Sequence, residues 1–212
     1  MINKPMDWDT TKAAAERITL PADAYICRIK QAAVRTFDKR DGSGKYSRLD
    51  VAFDISDGEY ADFYEADFDA QPDDGKRKWK GVLRVSLPDE SNPKAKWTVA
   101  LFKAFTEAVE KSNLGYKWNF DEATLKGKTV GILFRNEQWV WQGKSGWKAQ
   151  PFRALSVADV KDKKFTLPKE KANPDADKTI DIEPDAGAAD VKSSLTGDDF
   201  KVIDDTTEDL PF

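Results

Sequence analysis

"YSRLDVAFDIS" (46–56) is the stretch that decides the fold. Apolar side chains alternate along it with polar or small ones, which is the pattern of a β-strand with one buried face. The apolar positions are Leu49, Val51, Phe53 and Ile55. Asp50 and Asp54 fall on the opposite face, which we expect to be solvated. The stretch therefore predicts a β-sheet that buries one of its faces.

Strand patterns flank this stretch on both sides. Residues 24–37 are expected to form the preceding strand, with basic residues mixed among apolar ones. The Asp57-Gly58 pair that follows is a hairpin signal, so residues 59–69 are predicted to return as a third strand. Residues 82–87 fit either a short strand or an irregular packing segment.

A helix pattern separates these strands from two more. Its apolar residues recur every three to four positions, as a core-facing helix requires. They are Leu101, Phe102, Phe105, Ala108 and Val109. Residues 127–136 and 137–147 are again strand-like, and residues 147–155 run back after a hairpin tip. The order predicts a mainly β fold, a small closed five-stranded barrel with one helix between its third and fourth strands.

The composition of the chain limits the classes of protein and of catalytic site that it can represent. The chain has 212 residues and 40% hydrophobic content, enough for one core with peripheral segments. No apolar run approaches the roughly 20 residues of a membrane span, and no signal peptide precedes the body, so we expect a cytoplasmic protein. Cys27, the single cysteine, cannot form an internal disulfide and is expected in the core. The chain has 0 histidines, which excludes histidine-dependent triads and zinc sites.

Charge divides the chain into a body and a tail. Residues 168–212 hold 13 acids and 5 lysines, a net charge of −8, which leaves 25 acids and 29 bases, a net of +4, in residues 1–167. Residues 168–203 show no strand or helix period and are expected to be a disordered acidic linker. Residues 1–167 are the predicted globular domain, and residues 204–212 form a separate tip.

Aromatic and basic residues interleave in two places in the body, around residues 37–48 and around "WVWQGKSGW" (139–147). A single nucleic-acid strand needs both, because bases stack on rings at about 1–3 kcal/mol each while cations follow the phosphates. Trp139 and Trp141 lie on one face of a strand and fit either this role or the barrel interior, and the return strand is expected to bring Trp147 near them. The candidate strand-binding residues are Phe37, Lys39, Arg40, Lys45, Tyr46, Arg48, Arg135, Trp139, Trp141, Lys144, Trp147, Lys148 and Arg153.

Acidic residues in the body suggest an alternative. Carboxylates bind the magnesium of many nucleases. The residues that could do so are Asp50, Asp54, Glu65, Asp67 and Asp69. Strand alternation favours a solvated polar face for the first two, so we expect no metal, no cofactor and no catalytic residue.

The chain ends "DDTTEDLPF", where acids precede an apolar tripeptide. Pro211 restricts Leu210 to extended geometry, so the Phe212 ring and its own carboxylate project together. Such an end suits a pocket with an apolar floor and a basic rim. The predicted partner-binding residues are Asp204, Asp205, Glu208, Asp209, Leu210, Pro211 and Phe212.

The "EDLPF" ending (208–212) resembles the C-terminal tip of bacterial and phage single-stranded DNA-binding proteins, which is acidic and typically ends in Ile/Leu-Pro-Phe. The layout of body, linker and tip is also similar. The resemblance implies an OB-fold body that binds single-stranded DNA (ssDNA) and a tip that recruits proteins of replication, recombination and repair in a bacterial host cell. This body is longer than the usual barrel of that family, chiefly in residues 70–92 and 113–124.

The expectation is a non-enzymatic, bacteriophage-type protein that coats and protects ssDNA without sequence specificity. Three rivals stay open: a protein that anneals complementary strands, a magnesium-dependent nuclease, and an adaptor with no affinity for DNA. Whether the chain forms a homo-oligomer is left open by the sequence.

Overall fold

The computed structural model describes residues 18–39, 44–73, 75–88, 95–142 and 144–174, together with positions 3, 4, 6, 8, 9, 42 and 176. Five strands carry the fold: β1 (Ala24–Asp38), β2 (Lys45–Ile55), β3 (Val82–Ser86), β4 (Thr129–Trp141) and β5 (Lys144–Leu155). The helices are α1 (Phe63–Asp69), α2 (Ala95–Ser112) and α3 (Val157–Lys161), with a 3₁₀ turn at Glu122–Leu125.

The strands form one antiparallel sheet in the order β3-β2-β1-β4-β5. The predicted mainly β fold with five strands is therefore confirmed, and α2 lies between the third and fourth strands along the chain. The predicted closure into a barrel is not shown, because β3 and β5 are the two edges of an open sheet.

The predicted third strand at residues 59–69 is wrong, because this segment forms a turn followed by α1. The Asp54 carboxylate, at the end of β2, accepts hydrogen bonds from the backbone N–H groups of Tyr64 and Glu65 at 2.9 Å each. It thus satisfies N–H groups that the first turn of a helix leaves unpaired. The third strand is β3 instead. Of the two possibilities predicted for residues 82–87, the short strand is therefore the one that forms.

The core lies on one face of the sheet. Side chains of all five strands meet there and are covered by α2, which contributes Phe105 and Val109. The apolar positions of the stretch at 46–56 are all buried in it, as predicted: Leu49, Val51, Phe53 and Ile55. Cys27 is also buried, and burial raises the pKa of its thiol well above the ordinary value. Leu101 departs from the predicted helix stripe, since 43% of it is exposed.

The expected solvated positions of Asp50 and Asp54 are wrong. Asp50 is 4% exposed and Asp54 is 2% exposed. Both are buried because each has partners that replace water: arginines for Asp50, and three backbone N–H groups for Asp54. Burial raises the pKa of the Asp54 carboxyl, while those three N–H groups oppose the rise.

The first residues of the predicted linker lie along β4. The Lys171 N–H donates to the Asn136 carbonyl at 2.9 Å, and the Gln138 N–H donates to the Lys171 carbonyl at 2.9 Å. The Asn136 side-chain amide also donates to the Glu170 carboxylate at 2.9 Å. Residues 170–173 therefore form a short strap that pairs in parallel with β4. Position 175 and residues 177–203 of the predicted linker lie outside the described residues.

No helix within the described ranges combines the length and apolar character that a bilayer crossing requires.

Candidate nucleic-acid interface

Most of the residues predicted to bind a nucleic-acid strand lie on the face of the sheet that is turned away from the core. Strand alternation and register place even positions of β2 and odd positions of β4 on this face, which we call the outer face. Nine of the thirteen candidates belong to it by register. They are Phe37, Tyr46, Arg48, Arg135, Trp139, Trp141, Lys144, Lys148 and Arg153.

Phe37 and Tyr46 are cross-strand partners on the β1–β2 hairpin. Their rings stack, with centroids 5.5 Å apart and an angle of 27° between the planes. The guanidinium carbon of Arg48 lies 4.4 Å from the centroid of the Phe37 ring, within the range of a cation–π contact. The three side chains form a continuous layer of cation, ring and ring, which we call the aromatic ladder.

The carboxylate of Asp50 holds the arginine of the aromatic ladder in place. Arg48 Nε donates to Asp50 Oδ1 at 2.7 Å, and Arg35 Nε lies 3.6 Å from Asp50 Oδ2. Arg84 of β3 is the register partner of Asp50 and is exposed on the same face. Two arginines therefore pair with one buried carboxylate, and a third lies across from it on β3.

Sequence reasoning missed Arg35, Arg84 and the ladder role of Asp50. Arg35 lies two positions before Phe37, so strand alternation was a usable signal for it. Arg84 lies between two buried residues of β3, so alternation indicates that it faces outward. Its position beside Asp50 depends on the pairing of β3 with β2, which the sequence did not reveal.

The predicted cations of the first loop, residues 38–45, do not share one position in the structure. The loop is closed by hydrogen bonds between the backbones of Lys39 and Gly44 and of Gly42 and Lys39. Lys45 points to the opposite side from Tyr46 by alternation and pairs with Asp38 at 3.0 Å. Arg40 lies outside the described residues.

The second predicted cluster lies on the β4–β5 hairpin. Pairing of β4 with β1 ends at Leu133, so the hairpin continues beyond the start of β1 as a two-stranded ribbon. Trp139 and Trp141 are 42% and 45% exposed on its outer face. Of the two roles considered for these rings, the core role is wrong, because both lie at the surface.

Trp139 lies across the neighbouring strand at Gly146, its register partner. A Cβ atom placed at Gly146 would be only 2.7 Å from Cζ2 of the Trp139 indole. The absence of a side chain at Gly146 thus lets the indole settle against the backbone of β5, in a cross-strand pairing of an aromatic ring with glycine.

Trp147 does not join the other two tryptophans. It pairs with Gln138, so it projects from the opposite face of the ribbon. The expectation that the return strand brings Trp147 near Trp139 and Trp141 is wrong, because register rather than sequence distance sets the face. Trp147 instead lines a groove of about 570 Å³. Its other walls include Leu20, Pro21, Leu167 and Pro168.

The cations of the ribbon differ in their exposure. Lys144, Lys148 and Arg153 are exposed. The guanidinium carbon of Arg135 lies 4.6 Å from the Phe152 ring centroid, and the same side chain forms an ion pair with Glu137. Arg135 is therefore held against a ring, much as Arg48 is held in the ladder.

The acids considered for a metal site stabilise the fold. Asp54, Asp62 and Glu65 have oxygen atoms within 4.8 Å of one another and are the described residues that could share an ion. Asp54, however, already accepts three backbone hydrogen bonds, and Glu65 pairs with Lys30 at 3.0 Å. Asp67 pairs with Lys80 at 2.7 Å. Asp54, Glu65 and Asp67 therefore each have a partner within the fold.

The predicted partner-binding tip, residues 204–212, lies outside the described residues.

No known protein-family model matches the chain, and no curated protein matches it significantly.

Proposed function

We propose that this chain binds single-stranded DNA without sequence preference and performs no chemistry on it. The observation that carries the proposal is the outer face, where exposed Trp139 and Trp141 share one side of the sheet with the Phe37–Tyr46 stack. Exposed cations accompany the rings on the same face, at Arg84 on β3 and at Lys144 on the β4–β5 hairpin among others. Stacking surfaces beside cations suit a flexible strand whose bases are accessible, whereas paired bases hide their faces.

We assign the sheet to the OB-fold class as part of this proposal. An OB-fold is a five-stranded, partly open barrel that binds oligonucleotides on a strand face and on the loops between strands 1 and 2 and between strands 4 and 5. The strand count and the position of α2 support the assignment. The two candidate clusters also lie on those two hairpins.

A titration with single-stranded oligothymidylate tests the DNA proposal. Because Trp139 and Trp141 lie on the outer face, binding is expected to quench tryptophan emission. Affinity should fall steeply as salt rises, since each neutralised phosphate releases counterions. An oligomer of about 16 nucleotides matches the upper range of site size for one such fold. Tight binding to duplex DNA but not to the single strand would contradict the proposal.

The tip proposal follows from the sequence resemblance. We propose that Leu210, Pro211 and Phe212 enter an apolar pocket on replication and recombination proteins, while the preceding acids meet its basic rim. Deletion of residues 204–212 should leave ssDNA affinity intact or higher while abolishing capture of such partners. Loss of ssDNA binding in the deletion variant would instead assign these residues to the DNA site.

A further inference from the structure

We infer that Asp50 and Arg48 are positioning residues, which hold the aromatic ladder ready for a base instead of contacting phosphate. The inference rests on the proposed ssDNA function and goes beyond it, because it assigns Arg48 a different task from the exposed cations on the same face. It also gives a task to Asp50, a negative charge that would otherwise oppose DNA binding.

Burial and hydrogen bonding argue against a phosphate contact for Arg48. The residue is only 7% exposed. Its Nε donates to Asp50 Oδ1 at 2.7 Å, and its Nη2 donates to Asp50 Oδ2 at 3.3 Å. This two-point contact fixes the plane of the guanidinium, which a lysine ammonium could not reproduce.

The fixed guanidinium in turn determines where the Phe37 ring lies. Its carbon is 4.4 Å from the ring centroid, and the ring stacks on Tyr46 at 5.5 Å. Arg35 supports the same carboxylate from β1 at 3.6 Å, so the ion pairs join the two strands of the hairpin. A stacking surface that is already ordered before DNA arrives loses less conformational entropy on binding.

Salt dependence separates positioning from phosphate contact. Each phosphate contact with a single strand contributes about 0.7 to the slope of log affinity against log salt. Arg48→Lys retains the charge but loses the fixed plane. We expect this variant to lose roughly fivefold in oligothymidylate affinity, the lower end of one stacked base, with an unchanged slope. Arg84→Ala, on the same face and exposed, is the matched control and should reduce the slope by about 0.7.

A double-mutant cycle tests whether Arg48 acts through Phe37. If it does, Arg48→Lys should cause no further loss of affinity in a Phe37→Ala background, because the ring that it positions is gone. Additive losses would overturn the inference. Asp50→Asn gives an independent readout: it should weaken binding if Asp50 positions the ladder, whereas tighter binding with a steeper salt slope would show that Asp50 merely repels DNA.

Stability measurements keep these results interpretable. Removing one partner of a buried ion pair is destabilising, so each variant is first checked by circular dichroism and urea unfolding. Arg48→Lys retains a cation beside Asp50 and serves as the principal variant if Asp50→Asn does not fold. Absence of ssDNA binding by the unaltered chain would overturn the proposed function and this inference together. Normal binding with undiminished affinity in Arg48→Lys would overturn this inference alone.

Discussion

The two hairpins of the outer face carry similar residues in opposite structural settings. In the β1–β2 hairpin, Phe37 and Tyr46 stack on each other above a buried arginine and a buried aspartate. In the β4–β5 ribbon, Trp139 and Trp141 are more than two-fifths exposed, and the ribbon extends beyond the strand that supports its base. The rings of the first hairpin are packed against other side chains, whereas those of the second are more exposed to solvent.

This difference allows the contribution of a ring to ssDNA affinity to be measured apart from its contribution to the stability of the fold. A ring that is exposed over much of its surface can be removed with a smaller effect on stability, so its contribution is measured chiefly on DNA. A ring within a packed ladder contributes to both.

The largest expected effect comes from the ribbon. Trp139→Ala and Trp141→Ala should each reduce ssDNA binding by about 1–3 kcal/mol, while the free energy of unfolding falls by less than it does in Phe37→Ala. Fluorescence anisotropy with labelled oligothymidylate and urea unfolding measure the two quantities. Val140→Ala, on the other face of the same strand, is the control. A large loss of stability would show that the indoles are structural.

Phe37→Ala should affect both quantities. Loss of the stacked pair is expected to cost about 0.5–1.5 kcal/mol of stability in addition to its effect on DNA affinity. Thr36→Val provides a neighbouring control, because Thr36 lies on the opposite face and bonds Ser47 through its hydroxyl at 2.8 Å. If Phe37→Ala weakened DNA binding and left stability unchanged, the contrast between the hairpins would fail.

Gly146→Val should move one indole without removing it. The added side chain occupies the space taken by Trp139, whose nearest atom is 2.7 Å from a Cβ at this position. We expect a shift in tryptophan emission and a loss of ssDNA affinity of about 1 kcal/mol, the lower end for one ring. Ser145→Val is the control, as it adds a β-branched residue to the same strand on the opposite face. Unchanged emission would mean that Trp139 does not rest on Gly146 in solution.

The smallest effect concerns single lysines. Lys144→Ala and Lys148→Ala, on the outer face, should each lower the salt slope of ssDNA binding by about 0.7. Lys45→Ala should leave the slope unchanged, because Lys45 lies on the opposite face and pairs with Asp38. Equal slopes for all three variants would remove the face as the organising feature of the interface.

Period-two alternation was sufficient to predict much of the sheet. It located β1, β2 and strand-forming residues within 127–155, although β4 runs without the predicted break near residue 136, and it identified the core-facing side of β2. It failed at residues 59–69, where Tyr60, Tyr64 and Phe68 recur at intervals of four, which is also a helical spacing. The carboxylate of Asp54, supplied from β2, pairs the N–H groups of the first helical turn, and no local pattern reveals that contact.

The candidate site was predictable in its residue types and less so in its geometry. Aromatic and basic residues were visible in the sequence, but the face of each depends on register. A return strand after the hairpin tip predicts Trp147 near Trp139, although pairing with Gln138 turns Trp147 to the opposite face. Likewise, alternation marked Asp50 as polar, but only the positions of Arg35 and Arg48 explain why it is buried.

The strap at residues 170–173 has a consequence for self-association. A strand edge with unpaired backbone groups can recruit a strand from another molecule. The strap occupies the Asn136 carbonyl and the Gln138 N–H on the edge of β4, immediately before the exposed Trp139. A chain shortened to residue 167 would expose these groups beside an indole. The strap therefore shields this edge from pairing with a second chain, so a shortened variant that is to keep this protection must extend through residue 174.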